Sequence, residues 1–214
     1  KYFMKNIGVI GATGNMGSAI TRSLFETNSI NIFSRNTEKL EELASELSSE
    51  NIVVAEDIKD LLDASDIVIL ALPYNEEQKL ANEIKESVAG KIVISISNPL
   101  SEDYSDLVTG WDTSSAEQLQ ATLSESHVIK AFNTIFASRI NDPVINGIQI
   151  DHFFAGNDEN ALNEVKGLIS SINHNPILVG TLEQSRLLER MAFLNIKLSA
   201  QEMFQWNSAF KLLS

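Results

Sequence analysis

A doubly wound α/β fold with a mostly parallel sheet is predicted by three observations. Strand and helix signals alternate along the first part of the chain. The strand signals are continuous apolar runs, the pattern of strands covered on both faces. A glycine-rich turn joins the first run to the first helix, and the regular β-α-β order implies right-handed crossovers on one sheet. The reading divides the chain into a Rossmann-like sheet domain, residues 1–181, and a C-terminal helical extension, residues 182–214, packed on the same unit.

The elements follow in order. Asn6–Gly11 (NIGVIG) is an Ile/Val run ending in Gly, the first buried strand. A helix is expected from Met16 to about Glu26, and Ser29–Ser34 (SINIFS) is the second strand. Leu40, Leu43, Ala44 and Leu47 recur at helical spacing, with Asn36 or Thr37 as N-cap. Asn51–Ala55 is a weak third strand and Ile58–Ala64 a short helix. Asp66–Pro73 (DIVILALP) is the strongest buried strand, and Glu76–Val88 reads as a helix stopped by Gly90. Lys91–Asn98 (KIVISISN) is another buried strand, broken by Pro99. Leu100–Thr113 has no periodicity and reads as a surface excursion at a strand's carboxyl end, where open α/β sheets bind ligands. Ser115–Leu123 is a helix and His127–Phe132 a strand. Asp151–Ala155 and Ile177–Gly180 are further strands, with an amphipathic helix marked by Leu162, Val165, Leu168, Ile169 and Ile172 between them. The tail, Leu182–Leu213, is expected as two helical pieces.

Composition narrows the function classes. The chain has 214 residues, 43% hydrophobic and 21% charged, the balance of a globular protein. Sixteen Lys+Arg against 29 Asp+Glu leave a net charge of −13. That surface repels nucleic-acid backbones, but a local cationic site can still hold a phosphorylated cofactor. The absence of Cys excludes disulfides, thiolate metal sites and a Cys nucleophile. Apolar runs such as Ile67–Pro73 fall far short of a membrane span, and the start lacks a signal-peptide pattern, so a cytoplasmic protein is expected. Lys1–Phe3 read as a remnant ahead of a native Met4.

The first βα turn reads Gly11-Ala12-Thr13-Gly14-Asn15-Met16-Gly17. Such glycines permit a sharp turn, let backbone N–H groups approach a pyrophosphate, and allow helix and strand to pack closely. The helix N-terminus behind them favours the phosphates. An ordinary tight turn is the bland alternative, set aside because the motif follows a strand and opens a helix. The end of the second strand decides the cofactor. NAD sites place a carboxylate there for the ribose hydroxyls, whereas this chain has Phe33-Ser34-Arg35-Asn36. Arg35 can fork onto a 2′-phosphate, Ser34 can donate a hydroxyl bond, and Lys39 adds a second positive charge, which points to NADP. Ala71-Leu72-Pro73-Tyr74 and Asn98-Pro99 end the fourth and fifth strands, at the edge where a nicotinamide riboside should rest.

These stretches together resemble the coenzyme F420-dependent NADP oxidoreductases, a family similar to the oxidoreductase domain of the Steap metalloreductases. The resemblance rests on Thr13–Gly17, Ser34-Arg35 with Lys39, Ala71–Tyr74 and Lys91–Leu100. It continues through Ser115–Leu119, Val128–Thr134, Leu182-Glu183 with Arg186, and the Phe210–Leu213 tail. It implies NADP(H) along the glycine-rich turn, with Ser34, Arg35 and Lys39 on the 2′-phosphate and Ala71, Leu72 and Ala137 among the other cofactor contacts. It also implies a flat redox partner, F420 or a flavin, near Pro73, Tyr74, Asn98, Pro99, Asn133 and Ile135. Some members known for the deazaflavin reaction carry His in place of Asn133 and Pro in place of Phe136.

Hydride transfer between two such ring systems needs position more than side-chain chemistry, so no general acid or base is expected. His127, His152 and His174 are far apart in sequence with no ligand-like spacing, and a metal site is not expected. A short-chain dehydrogenase would pair Tyr with Lys four residues on, but Tyr2, Tyr74 and Tyr104 are followed there by Asn6, Gln78 and Val108. Two alternatives stand beside the leading one: an NADPH-dependent reductase of a small carbonyl or imine, and a non-catalytic NADP sensor. Imine reductases with related N-terminal halves rely on a long helical second domain, against 33 residues here after Thr181. A homodimer is expected, because Leu187, Leu188, Met191, Ala192, Leu194 and Leu198 exceed what one sealing helix needs. Such a dimer could place Trp206 beside the partner's nicotinamide.

Overall fold

A computed structural model describes residues 4–213; the expected remnant at Lys1–Phe3 lies outside them. The first half runs β1 (Asn6–Ile10), α1 (Asn15–Leu24), β2 (Ser29–Phe33), α2 (Thr37–Leu47), β3 (Ile52–Val54), α3 (Ile58–Asp63), β4 (Ile67–Leu70), α4 (Tyr74–Ile84) and β5 (Ile92–Ser95). Next come α5 (Ser115–Thr122), β6 (His127–Lys130), α6 (Ala137–Ile140) and a hairpin of β7 (Val144–Ile145) and β8 (Ile148–Gln149). The chain continues with β9 (Asp151–Gly156), α7 (Glu159–Ser171), β10 (Asn175–Gly180), a 3₁₀ turn (Leu182–Gln184) and α8 (Ser185–Ala200).

Side-chain caps start several of these helices. Asn36 accepts from the Lys39 amide at 3.0 Å, Asp57 from Asp60 at 2.9 Å, and Asp158 from Ala161 at 2.8 Å. At α5 the Ser114 hydroxyl accepts from the Glu117 amide at 3.2 Å and donates to the Glu117 carboxylate at 2.7 Å; these caps satisfy amides that helix geometry leaves open.

Eight strands form one sheet in the order β10-β9-β6-β5-β4-β1-β2-β3. Strand alternation splits the core between its faces. Ile67 and Ile69 join Ile7, Val9, Ile30, Ile32, Ile94 and Ile129 under α1 and α7. Val68 and Leu70 join Ile10, Val93 and Val128 under α3, α4 and α5. A third small cluster, Phe153, Ala155 and Leu188, seats α8 on β9.

β6 and β9 pair antiparallel, with Lys130 opposite Ala155, and β10 runs parallel to β9. The run of parallel pairs therefore reverses at β9, and the beginnings of β9 and β10, not their ends, lie at the carboxyl edge of β6.

One expectation is corrected. The tail is one helix, α8, followed by irregular chain over residues 201–213; Glu202 (φ 61°) and Trp206 (φ 53°) take left-handed conformations that cannot continue a helix. Its end is pinned instead: Lys211 Nζ and the Leu212 amide both donate to the Asp151 carboxylate at 2.7 Å. The hairpin at β7 and β8 and the short α6 were not anticipated, although Asn146-Gly147, with φ 52° and 79°, is a strong hairpin signal. No helix among the described residues is long and apolar enough to cross a membrane.

Candidate active site

The glycine-rich turn is built from three glycines with three different constraints. Gly11 has φ 87°, and a Cβ there would stand 2.3 Å from the Ala71 carbonyl oxygen. A Cβ on Gly17 would stand 2.1 Å from the Gly11 carbonyl oxygen, so this residue lets α1 pack on the turn. Gly14 is different. Its Cβ would meet nothing nearer than the Gly11 carbonyl oxygen at 3.4 Å, and the residue is exposed. Gly14 is also the N-cap of α1 and offers no side-chain cap. The amides of Asn15, Met16 and Gly17 thus begin the helix without carbonyl partners one turn earlier, which makes a cradle for an anion.

Two clefts lie on either side of this turn. One, about 330 Å³, is lined by Gly11, Thr13, Gly14, Ser34, Arg35, Ala71 and Leu72 among others. Within it Thr13 and Ser34 share a hydroxyl hydrogen bond of 2.5 Å. Arg35 projects with its side chain 85% exposed, 3.7 Å from the Glu76 carboxylate. Lys79, one turn further along α4, also lines this cleft, a cation that sequence reading did not single out. Lys39 lies in a separate shallow groove on the other side of Thr13, with Ser18 and Arg22.

The second cleft, about 450 Å³, holds Asn15, Met16, Asn98, Asn133, Ile135 and Ala137. Its remaining walls include Ile96, Phe136, Ile196 and Trp206. Asn98 and Asn133 are locked together: Asn98 Nδ2 donates to the Asn133 carbonyl at 3.1 Å, and Asn133 Nδ2 donates to Asn98 Oδ1 at 2.9 Å. Three buried polar atoms of cleft-lining residues have no hydrogen-bond partner among the described residues: Asn133 Oδ1, Thr134 Oγ1 and Asn195 Nδ2. Unpaired groups of this kind are costly to keep unless a ligand meets them. Asn195 was missed from sequence. The signal was a polar residue on the inward face of α8, in step with Leu188, Ala192 and Ser199.

Trp206 lines the cleft of its own chain, 5.4 Å from the Phe136 ring. Pro73 and Pro99 line neither cleft; Pro73 caps α4 and Pro99 is buried. Tyr74 lines neither as well, and its hydroxyl donates to Gln118 at 2.6 Å.

Beside the second cleft lies a buried ionic knot. Lys130 Nζ is 2.9 Å from Glu189 and donates to Ser115 Oγ at 2.8 Å and to the Ser97 carbonyl at 2.5 Å. Glu77 accepts from Ser97 Oγ at 2.7 Å, and burial pushes its carboxyl up to about 7, against the opposing pull of Lys130. The knot ties α4, α5 and α8 to the ends of β5 and β6.

Residues 6–99 match the family profile of NADP oxidoreductase, coenzyme F420-dependent. The F420-dependent NADP reductase of Methanocaldococcus jannaschii is 34% identical over 205 residues, covering 90% of this chain and 92% of its own. The chain belongs to the F420-dependent NADP oxidoreductase family. A second relative, the F420-dependent NADP reductase of Methanothermobacter marburgensis, is 27% identical over 211 residues, covering 90% and 92%. A crystal structure from Arthrobacter sp. FB24, provisionally an F420-dependent NADP-reductase, aligns at TM-score 0.87 and 26% identity, covering 98% of this chain and 100% of that one. An imine reductase from Bacillus cereus aligns at TM-score 0.64 with 18% identity over 62% of its own length, a likeness of fold alone.

Proposed function

We propose that this chain transfers a hydride between NADPH and the deazaflavin F420, with the two ligands meeting in the 450 Å³ cleft. NADPH and F420 supply the redox chemistry, and the chain's residues bind, orient and exclude water. The amides of Asn15–Gly17 hold the pyrophosphate over Gly14. Ser34 and Arg35 take the 2′-phosphate, with Lys39 and Lys79 as further cations, and Arg35 leaves Glu76 to do so. Asn98 and Ala137 position the nicotinamide. Asn133, Thr134 and Asn195 meet polar edges, while Met16, Ile96, Ile135, Phe136 and Trp206 supply the flat apolar walls a planar ring needs.

The observation that carries this reading is the pairing of an uncapped, glycine-opened helix start with an adjoining apolar cleft whose lining includes unpaired buried amides. No carboxylate or imidazole is among the residues lining that cleft, which suits hydride transfer to a ring carbon, whose accompanying proton enters at a separate ring nitrogen, better than reduction of a carbonyl or imine that needs a proton donor at the reacting group itself. The test mixes the protein with NADPH and F420, FMN or FAD in turn and follows the nicotinamide absorbance band. Loss of the band with F420, and faster than with FMN or FAD, is expected. Tight NADPH binding with no oxidation by any of the three refutes the enzyme reading in favour of an NADP sensor.

The proposal includes a homodimer through α8 and a cytoplasmic setting, where NADPH and a small soluble acceptor are both at hand. Leu187 and Leu194, seven residues apart on one helix face, are 54% and 52% exposed, an apolar stripe suited to a two-fold pairing. Residues 182–200 then serve both as the cleft's wall and as the interface. Light scattering decides it: a mass near twice 23.6 kDa is expected, and a mass near one chain refutes the dimer.

A further inference from the structure

The segment that walls the second cleft, Asn133–Ser138, is held at both ends by a pair of histidines that the cleft itself does not contain. His152 and His174, remote in sequence, meet because β9 runs against β6 and β10 follows β9, which brings the starts of both strands to the carboxyl edge. The Phe132 amide donates to His152 Nε2 at 3.0 Å. His152 Nδ1 lies 3.2 Å from His174 Nδ1, and His174 Nε2 lies 3.0 Å from the Ile140 carbonyl oxygen. Both side chains are buried, His152 fully.

The chemistry of the two ends fixes the protons in the middle. A backbone N–H can only donate, so His152 Nε2 is bare and its proton sits on Nδ1. That proton goes to His174 Nδ1, which must then be bare. His174 keeps its proton on Nε2 and donates it to the Ile140 carbonyl, which can only accept. One tautomer pair satisfies all three bonds, and it requires both rings neutral. Burial agrees, holding both imidazoles below their ordinary range, His152 further than His174.

The bond at Phe132 restrains a strained residue. Phe132 has φ 64°, a left-handed conformation that a side-chain-bearing residue adopts only when its surroundings impose it. Its ring packs edge-on against His152 at 4.4 Å. The next residue is Asn133, which is bonded to Asn98 across the cleft.

We propose that His152 and His174 are positioning residues: a neutral di-imidazole relay clamps residues 132 and 140 and thereby sets the geometry of the acceptor-binding segment between them. This rests on the reading of the cleft as the acceptor site. It applies to hydride transfer, where reacting atoms must be held at near-contact distance.

The test has a spectroscopic arm and a kinetic arm. In the ligand-free protein labelled with ¹⁵N-histidine, two-dimensional long-range ¹H–¹⁵N spectra at neutral pH should show His152 protonated on Nδ1 only and His174 on Nε2 only. A His152 proton on Nε2 overturns the relay. With NADPH and F420, His152→Leu should lower kcat/KM for F420 about tenfold or more, while the NADPH dissociation constant stays within about threefold. His152→Gln, which places an acceptor oxygen near the Nε2 position, should recover most of the loss. If His152→Leu folds and leaves the F420 parameters within twofold, the clamp positions nothing and the proposal fails. Ala137→Trp, which fills the cleft, separates the two ideas. If it leaves F420 turnover unchanged, the cleft assignment is refuted and the positioning role falls with it, even where the tautomers are as stated.

Discussion

Replacing Gly14 by Val should abolish cofactor binding while leaving the fold intact, because the site at Gly14 is empty on the protein side. The added Cβ would stand 3.4 Å from the Gly11 carbonyl oxygen, an ordinary contact, at a residue with φ −72° and ψ 164°. That extended conformation suits a β-branched residue, so the folding penalty should stay within about 1 kcal/mol. The side chain would instead fill the approach of the pyrophosphate to the Asn15 and Met16 amides. Charge-assisted hydrogen bonds are worth roughly 1.5–3 kcal/mol each, so losing two costs about 3–6 kcal/mol, or about a hundredfold to ten-thousandfold in affinity. Gly17→Ala makes the opposing control, since its Cβ would lie 2.1 Å from the Gly11 carbonyl oxygen and 2.9 Å from the Ala12 Cα. That variant should lose thermal stability before any ligand is added. The assay pairs a thermal melt with a fluorescence titration of NADPH. A folded Gly14→Val protein that binds NADPH within threefold of the parent would mean that the phosphates lie elsewhere.

Three other outcomes are expected. Arg35→Ala should weaken NADPH at least about tenfold, the low end of a charge-assisted bond for so exposed a side chain, and leave NADH almost unchanged; calorimetry with both cofactors checks it, and equal losses would refute the 2′-phosphate assignment. Lys130→Met leaves the Glu189 carboxylate buried without its ion partner, so urea unfolding should show a loss of about 3–5 kcal/mol, and a loss under 1 kcal/mol would argue against the knot. Glu77, with a folded-state value of about 7 against an ordinary 4.5, binds an extra proton in the native state. Its contribution is therefore complete below about pH 4.5 and disappears as pH rises through 7, a swing of roughly 3 kcal/mol. Relative to Glu77→Gln, the parent should lose stability as pH rises from about 4.5 to about 7.5, the span of that change; a constant difference or a rise refutes the neutral carboxyl.

Much of this protein could be read from its residues. Ile67–Leu70 is legible as a buried strand because both faces of a parallel strand are covered, leaving no polar alternation to confuse it. The glycine-rich turn is legible because Gly11 and Gly17 meet local constraints of φ and close approach, with Gly14 between them at the start of the helix. The expectation of NADP is equally local, resting on Ser34-Arg35 where an acid would otherwise stand. The tertiary structure decided the rest. Nothing near His152 or His174 in sequence announces their contact, which depends on the reversal at β9, a pairing choice between distant segments. Asn195 becomes a cleft residue only once α8 docks on β9 through Leu188, and the ionic knot exists only because Lys130, Glu77 and Glu189 arrive from three elements. The tail after Ala200 has apolar residues enough for a helix, yet its backbone follows the bonds to Asp151 and the cleft mouth instead. Local patterns specify elements through the few residues on either side; a site assembled across a sheet edge depends on contacts whose partners the chain places together only by folding.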